Sequence, residues 1–326
     1  MAYESELALR LVPYTAGEQP KDRKFIKLNT NENPYPPSPA VSLALKGREE
    51  SLRLYPDTEA TELREAIAEH FDLSPEQVFC GNGSDEVLAF SFAAFMSGKK
   101  TYAPDISYSF YPVYANLFGA ELCQVPVRDD FSVDVDSLLQ KGPIVLANPN
   151  APTSLGLPRE DIIRMAEHTA EAEQILLVDE AYADFARSNA DDLLEKYENL
   201  LIVRTFSKSH SLAGLRVGYA MGSERLIRVL RRVRDSFNSY PTDRLAQAAA
   251  AASMRDWNYT SSCIHKITEA RDATREKLLE AGIEVLDSQT NFLFVRADRV
   301  DAGPVQLGLR EKGILVRHFA KGRLKP

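Results

Sequence analysis

The stretch Arg204-Thr205-Phe206-Ser207-Lys208-Ser209-His210, continuing to Ala213-Gly214-Leu215-Arg216-Val217-Gly218, decides how this chain is read. The apolar run Leu201 to Arg204 leads into it, so Lys208 falls just past the end of a predicted strand. Lysine is a poor nucleophile while protonated, and an imine-forming lysine needs surroundings that lower its pKa. Taken alone, Lys208 reads as an ordinary surface lysine. Its neighbours change that reading. Arg216 suits bidentate binding of a phosphate, and Thr205 and Ser207 add hydroxyl donors.

Working outward, Ile144–Ala147, Ile175–Val178, Leu201–Arg204 and Val217–Met221 are short runs rich in Val, Ile and Leu. Such runs suit strands buried on both faces. Pro158–Ala172 is an amphipathic helix with proline near its start. The alternation predicts an α/β fold: a large domain with a mostly parallel central sheet and covering helices, plus a smaller α+β domain. Functional groups then gather where the strands end. Val78–Cys80 predicts another strand. Helices are expected over Thr58–Phe71, Glu224–Phe237, Arg244–Met254 and Trp257–Ala281, the last capped by Gly282. Short strands and a helix are expected beyond it. The Pro- and Asn-dense Asn29–Pro39 is extended and irregular. The domains are drawn as 1–45, an N-terminal arm joining the small domain; 46–260, the large domain; and 261–326, the small C-terminal domain. The second boundary falls inside the long helix.

Across 326 residues, 44% are hydrophobic and 26% charged, which is ordinary for a globular protein with a large core. The net charge of −8 argues against a nucleic-acid surface. No apolar run of about 18 residues is present to span a membrane. Glu4 and Glu6 sit where a signal peptide would carry its apolar core. Cys80, Cys123 and Cys263 lie far apart, which suits reduced thiols in a cytoplasmic protein and gives no metal site.

Three further motifs bear on chemistry. In Val178-Asp179-Glu180-Ala181-Tyr182, a buried acid at a strand end needs a partner. A helix N-terminus is one candidate and a protonated ring nitrogen another. Gly81-Asn82-Gly83-Ser84-Asp85-Glu86 is a tight turn into a helix, whose free N–H groups can bind phosphate. It matches neither the Walker nor the dinucleotide pattern. The aromatics of Pro104–Tyr111, Tyr108 among them, can stack on a flat ring or pack in the core. Asn148-Pro149-Asn150-Ala151-Pro152-Thr153 is a turn after a strand, where a side-chain amide can also meet a ligand.

In this order the motifs resemble the fold-type I pyridoxal-5'-phosphate (PLP) aminotransferases, and within them the histidinol-phosphate aminotransferases. The resemblance runs from Val12-Pro13-Tyr14 to the C-terminus, and the Ser207–Gly218 pattern is its most specific part. It implies Lys208 as the Schiff-base lysine, Asp179 opposite the ring nitrogen, Tyr182 on the phenolic oxygen and Tyr108 on the ring face. Gly83, Ser84, Asp85, Thr205, Ser207 and Arg216 frame the phosphate. Tyr55 reaches the cofactor phosphate of a neighbouring subunit, which implies a homodimer with shared sites. Tyr14, Asn31 and Asn291 lie near the substrate, Tyr14 from the partner chain. The implied reaction exchanges an amino donor, histidinol phosphate, with a 2-oxo acid, 2-oxoglutarate. An aromatic or other amino-acid aminotransferase of the same fold, a threonine-phosphate-type decarboxylase or a non-catalytic relic of the fold are the rival readings.

Two departures from the family stand out. Ala151 replaces an asparagine, and Asn150 is expected to stand in for it; Ser154 replaces a glycine. The sequence also stops at Lys325-Pro326, before the strand whose arginine clamps the substrate carboxylate in the family. The chain either continues further or lacks that clamp.

Overall fold

The strands that the apolar runs predict all belong to one seven-stranded sheet in a computed structural model, which describes residues 3–15, 17–21, 23–296, 301–319 and 322–324. In chain order the strands are β1 (Ile26–Lys27), β2 (Val78–Gly81), β3 (Lys100–Pro104), β4 (Glu121–Val125), β5 (Ile144–Ala147) and β6 (Leu176–Asp179). They continue with β7 (Leu200–Thr205), β8 (Gly218–Gly222), β9 (Glu284–Val285), β10 (Val295–Arg296) and β11 (Ile314–Leu315). The large sheet has the order β2-β8-β7-β6-β5-β3-β4. β8 runs antiparallel to both of its neighbours, and the other pairings are parallel.

β5, β6 and β7 are buried along their whole length because both of their faces are covered. Side chains alternate across a strand. Ile144, Leu146, Leu176, Val178, Leu200 and Ile202 therefore enter one apolar layer. Val145, Leu177, Leu201 and Val203 enter the other. Each such side chain contributes roughly 1.5–3 kcal/mol on burial. The helix Arg159–Glu171 covers the first layer with Ile162, Met165 and Ala166. The helix Glu224–Phe237 covers the second with Ile227 and Leu230.

The remaining elements depart from expectation in small ways. β3 and β4 are not anticipated from the sequence. Lys100-Thr101-Tyr102-Ala103-Pro104 is polar and ends in proline, and β4 lies at the sheet edge with Glu121 and Gln124 exposed. The helix expected from Thr58 begins at Thr61, because the Asp57 carboxylate accepts from the Thr61 backbone N–H at 2.8 Å. The helix from Trp257 ends at Glu280, and Gly282 follows in the left-handed region at φ +76°. β1 pairs in parallel with β11, bringing the N-terminal arm beside the C-terminal segment, while β9 and β10 form a separate antiparallel pair. Among the described residues, no helix is long and apolar enough to cross a membrane.

Candidate active site

Strand register brings the expected residues to one edge of the sheet. Ala147 is opposite Asp179, Asp179 is opposite Val203, and Gly218 lies between Thr205 and Gly81. Parallel strands place their C-terminal ends together, so the segments leaving β2, β5, β6 and β7 all emerge on this side. The antiparallel β8 begins here, so Arg216, two residues before it, arrives from the opposite direction. A cavity opens at this edge. Ser84, Asp85, Tyr108, Asp179, Tyr182, Thr205, Ser207, Lys208 and Arg216 line it, together with Ala147, Ala151 and Ala181. A larger polar cleft near Arg48, Glu62 and Arg244 contains none of the expected residues, so chemistry rather than size identifies the site.

One end of the cavity is built for an anion. The helix Gly83–Ser91 begins without a side-chain cap on its first N–H groups. Such groups, reinforced by the helix dipole, favour a phosphate. Gly83 has φ +80°, and a Cβ there would come within 2.5 Å of Arg216 Nη2. At Gly218 a Cβ would lie 2.2 Å from the Ser84 nitrogen, so glycine is what lets β8 pass beneath the helix start. Arg216 sits at φ +52°, an uncommon conformation for a side chain of its size. Its Nη1 donates to Ser207 Oγ at 3.2 Å and its Nη2 to Asp85 Oδ2 at 2.9 Å. The Tyr108 hydroxyl donates to Asp85 Oδ1 at 2.7 Å. Asp85 thus ties the aromatic wall to the arginine. Thr205 Oγ1 accepts from the Ser207 backbone N–H at 3.1 Å and holds that turn.

The other end carries an acid and an amine. Burial pushes the Asp179 carboxyl up to about 7, against the opposing effect of its donors. Those donors are the Tyr111 hydroxyl, 3.0 Å from Oδ2, and the Ala181 N–H, 3.2 Å from Oδ1. Lys208 Nζ donates to the Thr30 carbonyl at 2.9 Å. Asn31, at φ +58°, donates through Nδ2 to the Tyr182 hydroxyl at 2.9 Å, and its own carbonyl accepts from Asn291 Nδ2 at 2.9 Å. Asn291 Oδ1 is buried with no hydrogen-bond partner among the described residues. The arm before β2 is in this way stitched to both the sheet edge and the segment after β9.

Gly83, Asn31, Asn291, Asn150, Tyr14 and Tyr55 are expected at the site but do not line the cavity itself. Asn150, expected in place of the family asparagine, does not line the cavity. Its amide donates to Ile106 O and Thr153 Oγ1 and accepts from Ser107, so the side chain is spent on the turn. Ala151 faces the cavity in its place. Tyr14 stacks on Phe110 with ring centroids 4.4 Å apart. Tyr55 is 78% exposed and stacks on Tyr240, away from the cavity of its own chain. The sequence reading missed Tyr111, whose signal was its place in the aromatic run, and the small wall residues Ala147 and Ala181. Cys80 is buried and its thiol is pushed up to about 12, which removes it as a nucleophile near neutrality.

The cavity fits PLP. It pairs an uncapped helix start and an arginine with a buried carboxylate and an amine, which match a phosphate, a protonated ring nitrogen and an aldehyde.

Comparison with known proteins agrees with that chemistry. The model of the aminotransferase class I and II family matches residues 23–325. A histidinol-phosphate aminotransferase of Chromohalobacter salexigens is 50% identical over 317 residues, 96% of this chain and 90% of the relative. One of Clostridium acetobutylicum is 46% identical over 323 residues, 98% of this chain and 91% of the relative. The crystal structure of histidinol-phosphate aminotransferase from Sinorhizobium meliloti in complex with pyridoxal-5'-phosphate superposes with a TM-score of 0.87 at 25% identity, covering 99% of this chain and 92% of that one. The chain belongs to the class I and II aminotransferases and, within them, to the histidinol-phosphate aminotransferase family.

Proposed function

We propose that this enzyme uses PLP to move the amino group of histidinol phosphate to 2-oxoglutarate, yielding imidazole acetol phosphate and glutamate. The observation that carries the reading is the single cavity that Lys208, Asp179 and Arg216 share. The substrate follows from the relatives' names and their identity to this chain. When bound, PLP supplies an aldehyde that takes up an amine and a ring that draws electrons from the α-carbon. Lys208 Nζ would hold the aldehyde, and its amine could carry a proton to and from the α-carbon. Asp179 keeps a positive charge at the ring nitrogen, and Tyr111 holds its carboxylate. Tyr182 presents a hydroxyl that Asn31 orients. Arg216, Ser207, Thr205 and the Gly83–Asp85 turn hold the phosphate. Tyr108 would pack against the ring.

The exposed Tyr55 suits a homodimer in which it serves the neighbouring copy's phosphate, with Tyr14 and Asn291 toward the substrate. The division into an arm (1–45), a large domain (46–260) and a small domain (261–326) accompanies this reading. Free Cys80, Cys123 and Cys263 are compatible with a cytoplasmic site of action.

A substrate panel tests the proposal. Turnover of histidinol phosphate far above phenylalanine and tyrosine supports it, and the reverse order replaces it with an aromatic aminotransferase.

A further inference from the structure

Adjacent residues face opposite ways at the strand end that carries the acid and in the loop that carries the amine. Asp179 lines the cavity, while the next residue, Glu180, points into a buried ionic cluster beneath it. Arg204 donates to Glu180 Oε2 from Nε at 2.9 Å and from Nη2 at 2.7 Å. Its Nη1 reaches Asp184 Oδ1 at 3.2 Å, and Nη2 reaches Asp191 Oδ2 at 3.4 Å. Lys208 also lines the cavity, while the next residue, Ser209, turns below and donates its hydroxyl to Asp184 Oδ2. The two oxygens of Asp184 therefore join the arginine cluster under Asp179 to the loop of Lys208. Asn33 secures the other side of that loop by donating Nδ2 to the Ser209 carbonyl at 2.9 Å.

We infer that Ser209 and Asp184 are positioning residues, forming a strut that fixes Lys208 Nζ relative to Asp179 for proton transfer. Glu180, Arg204 and Ser209 are each at most 3% exposed. Charges so buried tolerate little rearrangement, because a displaced partner leaves an uncompensated ion. The cluster sets three carboxylates against one guanidinium, and among the described residues the Ser209 hydroxyl is the donor to Asp184 Oδ2. An error of 1 Å in a reacting group can cost on the order of 10²-fold in rate. A strut running from one loop to the other is the means by which the fold avoids that error.

The inference rests on the proposed role of Lys208, and the test separates the two. Borohydride reduction of the wild-type holoenzyme, with peptide mapping, first locates the cofactor attachment; a cofactor fixed elsewhere sinks the Lys208 reading itself. With Lys208 located, Ser209→Ala is expected to lower kcat about tenfold with KM for the amino donor within twofold. It should also weaken PLP binding to the apoprotein several-fold, and Ser209→Thr should restore both. Asp184→Asn, which removes the acceptor charge without changing shape, gives a second route if Ser209→Ala folds poorly. Variants that lose thermal stability while kcat and PLP affinity stay within twofold of wild type would make the strut merely structural and overturn the inference.

Discussion

The Tyr111 hydroxyl donates to Asp179 Oδ2 at 3.0 Å from a fully buried position. It is the only side-chain donor to that carboxylate among the described residues; the other donor is the Ala181 backbone. A hydrogen bond to a charged group is worth about 1.5–3 kcal/mol. Tyr111→Phe is therefore expected to raise the Asp179 pKa further and to slow amino transfer by roughly tenfold or more. Single-turnover rates as a function of pH check this. An unchanged profile would mean that Tyr111 only fills space.

Lys208→Ala should abolish amino transfer and leave the protein folded. Among the described residues the lost contacts are few: one hydrogen bond to Thr30 O, a distant contact with the Tyr182 ring, 5.7 Å from Nζ to its centroid, and a charge interaction with Glu32. Circular dichroism and a thermal melt near that of the wild-type apoprotein, with no turnover, are the expected pair of results. Near-normal turnover would remove Lys208 from the mechanism.

Gly218→Ala tests the phosphate end through the backbone. The added methyl would sit 2.2 Å from the Ser84 nitrogen and 2.4 Å from the Gly83 carbonyl carbon, and neither can move without shifting the helix start. Overpacking of this kind costs typically 1–3 kcal/mol. The expected outcome is a lower melting temperature with PLP affinity reduced at least tenfold, measured by titrating the apoprotein. Affinity that survived the change would place the phosphate elsewhere.

Much of this architecture is legible in the sequence because buried parallel strands announce themselves. Ile144–Ala147 and residues 200–203 are apolar on both faces, and the segments that follow them carry the chemistry. β3 and β4 escape notice because they lie toward the sheet edge and mix polar with apolar residues. Asn150 shows a different limit. Its position in the motif fits a ligand contact, yet only the folded turn reveals that Ile106, Thr153 and Ser107 already take its amide. The role of Tyr111 is hidden for a related reason: its bond to Asp179 joins residues 68 positions apart, and no local pattern encodes it. The same holds for the reach of Asn31 to Tyr182.

Asp179 also makes stability depend on pH in a direction that can be worked out. Its carboxyl titrates at about 7 in the folded apoprotein, against an ordinary value of 3.8. Between those values the native state keeps a proton that the unfolded chain has released. Stability must then fall as pH rises through this window, by at most about 1.4 kcal/mol per pH unit from this group. Below the window both states are protonated, and above it both are ionised with the burial penalty fully present. Asp179→Asn cannot titrate, so the apoprotein variant should lose this part of the slope between pH 5 and 7. Bound PLP should flatten the wild-type slope as well, because a cationic ring nitrogen stabilises the ionised carboxylate. Thermal melts of wild-type and variant apoprotein across that range, with and without PLP, give the comparison. Parallel slopes for the two apoproteins would show that Asp179 is already ionised without the cofactor, and that the charge it offers the ring is preformed rather than drawn out by binding.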